Sequence, residues 1–212
     1  MYGTGFLPTD EVNIYRIERD DIYLTGTSEV ALAAYHMDEE VDAASLPYHY
    51  AGYSTCFRRE AGAAGKDTRG MLRVHQFEKV EMFVFCLPEE SAEQHEFLLS
   101  VEEELVTELE VPYRIVNVAA GDLGAGATKK YDIEAWFPSQ ERYREITSTS
   151  NTTDFQARRL GVRYRTEGGL EPVHTLNGTA VTARVLLAIM ENTQDAAGDW
   201  SAPAALKEFG AP

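Results

Sequence analysis

Several things are scarce in this chain, and each shortage narrows what it can be. Only two cysteines, Cys56 and Cys86, occur in 212 residues, and they do not form a paired motif. That argues against a disulfide framework and against zinc, and favours two buried thiols in a reducing cytoplasm. No run approaches the ~18 apolar residues a membrane span needs. The opening MYGTGFLPTDE has no basic stretch followed by an apolar one, so it does not read as a secretory signal, and no membrane partner is expected. Internal repeats, low-complexity tracts and linkers are missing, which predicts one domain over residues 1–212. Neither GxGxxG nor GxxxxGK[ST] occurs, and strands do not alternate regularly with helices, so a doubly wound parallel nucleotide-binding sheet is disfavoured. Net positive charge is lacking too. Lys and Arg number 19 against 35 Asp and Glu, a net charge of −16 that at first argues against a polyanionic partner.

The distribution of charge matters more than the sum. Residues 88–110 carry Glu89, Glu90, Glu93, Glu96, Glu102, Glu103, Glu104, Glu108 and Glu110 with no Lys or Arg. Between residues 58 and 73 the balance reverses, with Arg58, Arg59, Lys66, Arg69 and Arg73 against Glu60 and Asp67. Arg158, Arg159, Arg163 and Arg165 form a second basic cluster. An acidic body with local basic patches suits a nucleotide or RNA site on a solvated surface.

Hydrophobic residues make up 44% of the chain, enough for a sizeable core. Thr27-Ser28-Glu29 opens a short helical run, VALAAYH, with hydroxyls placed to cap it. Residues 48–57 read as extended, 61–70 as a glycine-rich polar loop, and 74–85 as a second strand, which together predict an antiparallel hairpin. On that second strand Phe77, Lys79, Glu81 and Phe83 share a face. Residues 88–110 read as an amphipathic helix with Phe97, Val101, Leu105 and Leu109 as its apolar stripe. Strands are predicted at 113–118, 131–137 and 143–149, and a last helix at 181–192 after a loop, LNGTA. The sum is an α+β fold, a largely antiparallel sheet flanked by helices.

The most specific feature is CFRREAGAAGKDTRGMLRVHQFEKVEMF at 56–83. Around it stand GTSE at 26–29, AGDLG at 120–124, YDIEAW at 131–136, EITSTSN at 145–151, TDFQARR at 153–159 and HTLNGTAVTAR at 174–184. These seven ordered blocks cover nearly the whole chain and resemble the catalytic domain of class II aminoacyl-tRNA synthetases, in the wording of the seryl branch. The resemblance implies that fold, with ATP and Mg²⁺ as cofactors, L-serine and tRNA(Ser) as substrates, and a homodimer in the full-length family. It implies serine activation to seryl-adenylate followed by transfer to tRNA.

The chemistry of that reaction accounts for the residues it needs. A carboxylate must meet the α-phosphate of ATP, so like charges have to be neutralised and aligned. The resemblance assigns Arg58 to the α-phosphate and Glu60 to the adenine amino group. Phe77 would stack on one side of adenine, and Arg184 would lie over the other side and reach the γ-phosphate. Arg73 adds positive charge near the phosphates. Glu145 and Ser148 would hold the divalent ion, although three residues along a regular strand put them on opposite faces unless the strand bulges. Thr27 and Glu29 match the positions that receive the ammonium of the amino acid, and Glu81 and Thr179 those that approach the serine hydroxyl. Lys66 and Arg69 would meet the tRNA acceptor end, in a loop that can equally be merely solvated. His75 and His174 read as structural.

The third motif is one residue shorter than the NGSGLAVGR of many bacterial members, which weakens the case for Thr179, and TSE replaces the commoner TAE at 27–29. The sequence starts at GTGFLP, past the point where the helical tRNA-binding arm and motif 1 of the family would end. A fragment or a short homologue is expected. A homologue charging a carrier protein or small molecule, or a noncatalytic paralogue, is the alternative. Intact Arg58, Glu60, Phe77, Glu145 and Arg184 count against the last.

Overall fold

Alternating side chains on two long segments build the centre of the fold. The computed structural model describes residues 1–61 and 70–211. In chain order the elements are β1 (Arg16–Ile17), β2 (Ile22–Tyr23), α1 (Glu29–Ala33), β3 (Glu40–Val41), β4 (Tyr48–Phe57), β5 (Gln76–Cys86), α2 (Ser91–Glu108), β6 (Tyr113–Asn117), β7 (Lys129–Phe137) and β8 (Arg142–Thr153). Then come α3 (Phe155–Leu160), β9 (Arg163–Thr166), β10 (Gly169–Pro172), β11 (His174–Thr182), α4 (Ala183–Thr193) and α5 (Ala204–Lys207). Six strands form one antiparallel sheet in the order β4-β5-β11-β8-β7-β6. The β9–β10 hairpin and β3, which runs parallel to β9, make a smaller sheet. The expected α+β class and the β4–β5 hairpin are both present.

The two faces of the sheet bury different partners. Ile133, Ala135 and Phe137 alternate along β7 and pack with Leu99 and Val106 of α2 and with Val185, Ala188 and Ile189 of α4. Val84 and Cys86 of β5 join Leu98 and Leu176 beside them. On the opposite face Phe83 and Phe85 meet Ala33, Ala157, Leu160 and Val162. Cys56 and Cys86 are both free and buried, and burial pushes the Cys86 thiol up to about 12.

Three expectations change. On α2 the buried stripe is His95, Leu98, Leu99, Glu102 and Val106, while Phe97 is 45% exposed. The helix is turned so that one of its acids, Glu102, faces the sheet at 0% exposure. It begins where the Glu90 carboxylate accepts from the Leu87 amide, and it ends before Glu110, which turns at φ 55, and Pro112. LNGTA is not a loop but the middle of β11, because pairing to β5 on one side and β8 on the other outweighs the turn preference of Asn-Gly. The helix opened by TSE is only five residues long, and Ser28 does not cap it: its hydroxyl donates to the Gly52 carbonyl, while Thr27 Oγ1 accepts from the Glu29 amide at 3.2 Å.

Two irregularities in the ladders sit side by side. The β7–β8 register steps from Ile133↔Thr147 to Glu134↔Glu145, so Ile146 is an extra residue. The β11–β5 register steps from Thr179↔Glu81 to Val181↔Val80, so Ala180 is another. The rungs between β8 and β11 end at Gly178↔Thr149.

Candidate active site

Where those strands part, a cavity of ≈ 260 Å³ opens on the sheet face away from α2, with the first turn of α4 in its wall. Its walls include every described site residue named from the sequence: Thr27, Glu29, Arg58, Glu60, Arg73, Phe77, Glu81, Glu145, Ser148, Thr179 and Arg184. Lys66 and Arg69 lie outside the described residues. The bulge at Ile146 resolves the spacing conflict on β8. Ile146 turns into the core and Thr147 bonds to Glu102 behind the sheet, which leaves both Glu145 and Ser148 in the cavity wall.

One end of the cavity is cationic. Arg58 leaves the end of β4 with its guanidinium 5.2 Å from the Phe77 ring centre and Nε donating to the Gly26 carbonyl at 3.2 Å. Arg73 pairs with Glu60. Arg184 sits in the first turn of α4, where its amide donates to the capping Thr182 hydroxyl. Its guanidinium donates to the carbonyls of Leu72 (3.0 Å) and Glu145 (3.1 Å). Burial lowers the Arg184 pKa most; Glu145 opposes this, and the charges of Arg73, Arg58 and Arg144 lower it further. Four arginines gathered around Glu60 and Glu145 leave this end of the cavity net positive and suited to an anion. Arg58 lies over the Phe77 ring, and Arg184 is tied to backbone oxygens.

The other end is a small polar pocket. The Glu81 carboxylate, 1% exposed, accepts from Asn177 Nδ2 at 3.1 Å and Thr179 Oγ1 at 3.3 Å, and pairs with Lys79 Nζ at 2.5 Å. Glu29 accepts from Gln156 Nε2 at 2.7 Å, and Gln156 in turn accepts from the buried Thr175 hydroxyl. Burial first, and then the charge of Glu81, raise the Glu29 pKa to about 7 against the opposing pull of Lys79, Gln156 and Arg58. Two buried carboxyls against one ammonium leave an acidic surplus suited to a small polar cation.

Lys79, Asn177, Gln156 and Arg144 are absent from the sequence-based set. Lys79 and Asn177 stand two positions from Glu81 and Thr179, so strand alternation alone points to them. Arg144 borders a side cavity of ≈ 150 Å³ with Arg73, Glu145 and Arg184. Gln156 reaches Glu29 across 127 positions, and no local pattern signals that. In the second basic cluster all four arginines are exposed; Arg158 pairs with Asp154, Arg165 with Glu40, and Arg159 covers the Phe155 ring. His75 and His174 line neither cavity.

Residues 13–193 match the tRNA synthetase class II core domain (G, H, P, S and T). The chain belongs to that family. Among its relatives, the serine–tRNA ligase of Corynebacterium diphtheriae is 60% identical over 210 residues, 99% of this chain and 50% of that protein. The class II core is also shared with two solved structures. A seryl-tRNA synthetase from Pyrococcus horikoshii complexed with ATP superposes with a TM-score of 0.94 at 50% identity, over 98% of this chain and 47% of that one. A cytoplasmic serine–tRNA ligase from Naegleria fowleri in complex with AMP gives 0.92 at 41% identity, over 99% and 51%. This class II core spans about half the length of the curated relatives it matches.

Proposed function

We propose that this class II core activates L-serine with ATP and, in the protein that contains it, passes the serine to tRNA(Ser). The observation that carries this is the two-ended cavity, with arginines at one end and a buried carboxyl pocket at the other. ATP fits the cationic end. Arg58 and Arg184 would donate charge-assisted bonds to phosphate oxygens, Phe77 would offer its ring to adenine, and Glu60 and Arg73 would border the nucleotide. Serine fits the acidic end, with Thr27 and Glu29 at its ammonium and Glu81 and Thr179 at its hydroxyl. A carboxylate placed between these ends lies against the α-phosphate, and the arginines stabilise the charge that builds up as it attacks.

Glu145 and Ser148 fit a magnesium ion, which takes few protein oxygens and keeps phosphate and water ligands. Among the described residues no group of three or more His, Cys, Asp or Glu gathers as a metal site, so phosphate oxygens would have to complete the shell. Such an ion would offset phosphate charge when bound. Lys66 and Arg69 are assigned to the tRNA acceptor end, and the full-length assembly to a homodimer.

The test is serine-dependent exchange of pyrophosphate into ATP by Arg58→Ala and Arg184→Ala. Each should lose roughly 10²-fold or more, the scale of one lost transition-state donor. Near-normal exchange by a folded variant would remove that arginine from the reaction.

A further inference from the structure

Glu102 is the one buried carboxylate of α2, and neither the ATP end nor the serine end of the cavity uses it. It is fully buried. Its Oε2 accepts from Thr147 Oγ1 at 3.0 Å. Its Oε1 lies against Gly178 so closely that a Cβ there would sit 2.9 Å away. The Thr179 amide stands close enough to the carboxyl to favour its charged form, while Oε1 has no hydrogen-bond partner among the described residues. These contacts fall at one place in the sheet. The β8–β11 rungs stop at Gly178↔Thr149, and beyond that point each strand carries its bulge, Ile146 on β8 and Ala180 on β11. With no ladder left to hold them together, the strands need another tie across the fork.

We infer that Glu102 is a positioning residue, tying Thr147 of β8 to the Gly178–Thr179 backbone of β11 and so setting the distance between the Glu145–Ser148 wall and the Thr179–Glu81 pocket. Glycine at 178 follows from this, since any side chain would displace the carboxyl. Burial holds the Glu102 pKa well above the ordinary carboxylate range, with the Thr147 hydrogen bond opposing and the charges of Glu81 and Asp132 adding to the rise. A hydrogen-bonding side chain of the same length, charged or neutral, should serve in this place, because the contacts are made by its two terminal atoms. Glutamine can make both contacts: its amide oxygen accepts from the Thr179 N–H, and its NH₂ donates to a Thr147 hydroxyl that has turned to accept.

The catalytic part of this inference rests on the proposed serine activation, so the test has two readouts. The first, amide hydrogen–deuterium exchange in the 212-residue chain, is independent of catalysis. Glu102→Ala should speed exchange at least tenfold in residues 146–149 and 178–181, leave the β6–β7 pairing unchanged, and be restored by Glu102→Gln. Thr147→Val should loosen the same two segments, which keeps the test open if Glu102→Ala does not fold. The second readout is serine-dependent pyrophosphate exchange. Glu102→Ala should raise the KM for serine and lower kcat at least tenfold each, with Glu102→Gln recovering most of both. If neither Glu102→Ala nor Thr147→Val quickens hydrogen exchange at the fork, the tie is refuted. If Glu102→Gln behaves like Glu102→Ala in both assays, the bridging account is refuted. A wild-type chain that shows no serine-dependent activity would overturn the proposed function, and hydrogen exchange would still decide the tie.

Discussion

Glu29 shows how a single residue couples binding to pH. Its carboxyl is buried beside Glu81, and those two effects hold its proton up to about 7, while Lys79 and Arg58 pull the other way. A serine ammonium needs the ionised form. Serine affinity should therefore fall by about tenfold per unit as pH drops below about 7, and level off above it. The stability of the free protein should run in the opposite direction. The folded state keeps a proton that an unfolded carboxylate has already released, so this residue's contribution declines as pH rises from the ordinary carboxylate range through about 7. Calorimetric titration of serine between pH 5.5 and 8.5 checks the first trend. Glu29→Gln should flatten the pH dependence and weaken binding throughout, and an unchanged slope in that variant would place the titration elsewhere. Lys79 belongs to the same balance, because its pairing with Glu81 keeps two buried carboxyls from facing each other uncompensated.

Among the elements, β11 holds the most in the least space. Asn177 and Thr179 face the pocket, while Gly178 between them faces Glu102, Thr149 and Met82, each within 3.3 Å of where a Cβ would stand. Gly178→Ala should cost about 1–3 kcal/mol, the usual penalty for overpacking a filled site. Chemical denaturation measures it, and a cost near zero would mean that the fork is looser than these distances indicate. The same strand shows why sequence reading stops where it does. Local pattern identifies β4, β5, β7 and the existence of α2, because alternation and helical spacing persist over many residues. It reads LNGTA of β11 as a loop, since Asn-Gly favours turns and the pairing that overrides them comes from residues 25 to 98 positions away. It also misplaces the buried face of α2: a glutamate pattern cannot reveal that one of the acids meets a hydroxyl across the core. The bulge at Ile146 is invisible locally for the same reason, although the spacing of Glu145 and Ser148 requires it once both are placed at one site.

Across the whole molecule the charge divides by place, not by sum. The net charge is −16, and Arg16, Arg114, Arg158 and Arg165 are held in ion pairs with Asp21, Glu134, Asp154 and Glu40. Exposed pairs of this kind add little stability, yet they neutralise arginines that would otherwise attract polyanions. Arg58, Arg73, Arg144 and Arg184 converge on the strand fork, where Arg73 pairs with Glu60 and Arg144 donates to Gln140. The fold gathers positive charge at one end of the cavity and buried carboxyls at the other.

That division is the central claim, and competitive binding tests it most directly. Adenylate mimics, in which a sulfamoyl group replaces the phosphoryl link, can carry serine, alanine or threonine. The seryl mimic should bind at least 10³-fold tighter than the alanyl one, because the alanyl side chain gives up the hydroxyl's bond to the buried Glu81 carboxylate and offers nothing in its place. Glu81→Ala should erase most of that difference. Equal affinity for the seryl and alanyl mimics in the wild-type chain would contradict the assignment of this pocket to serine.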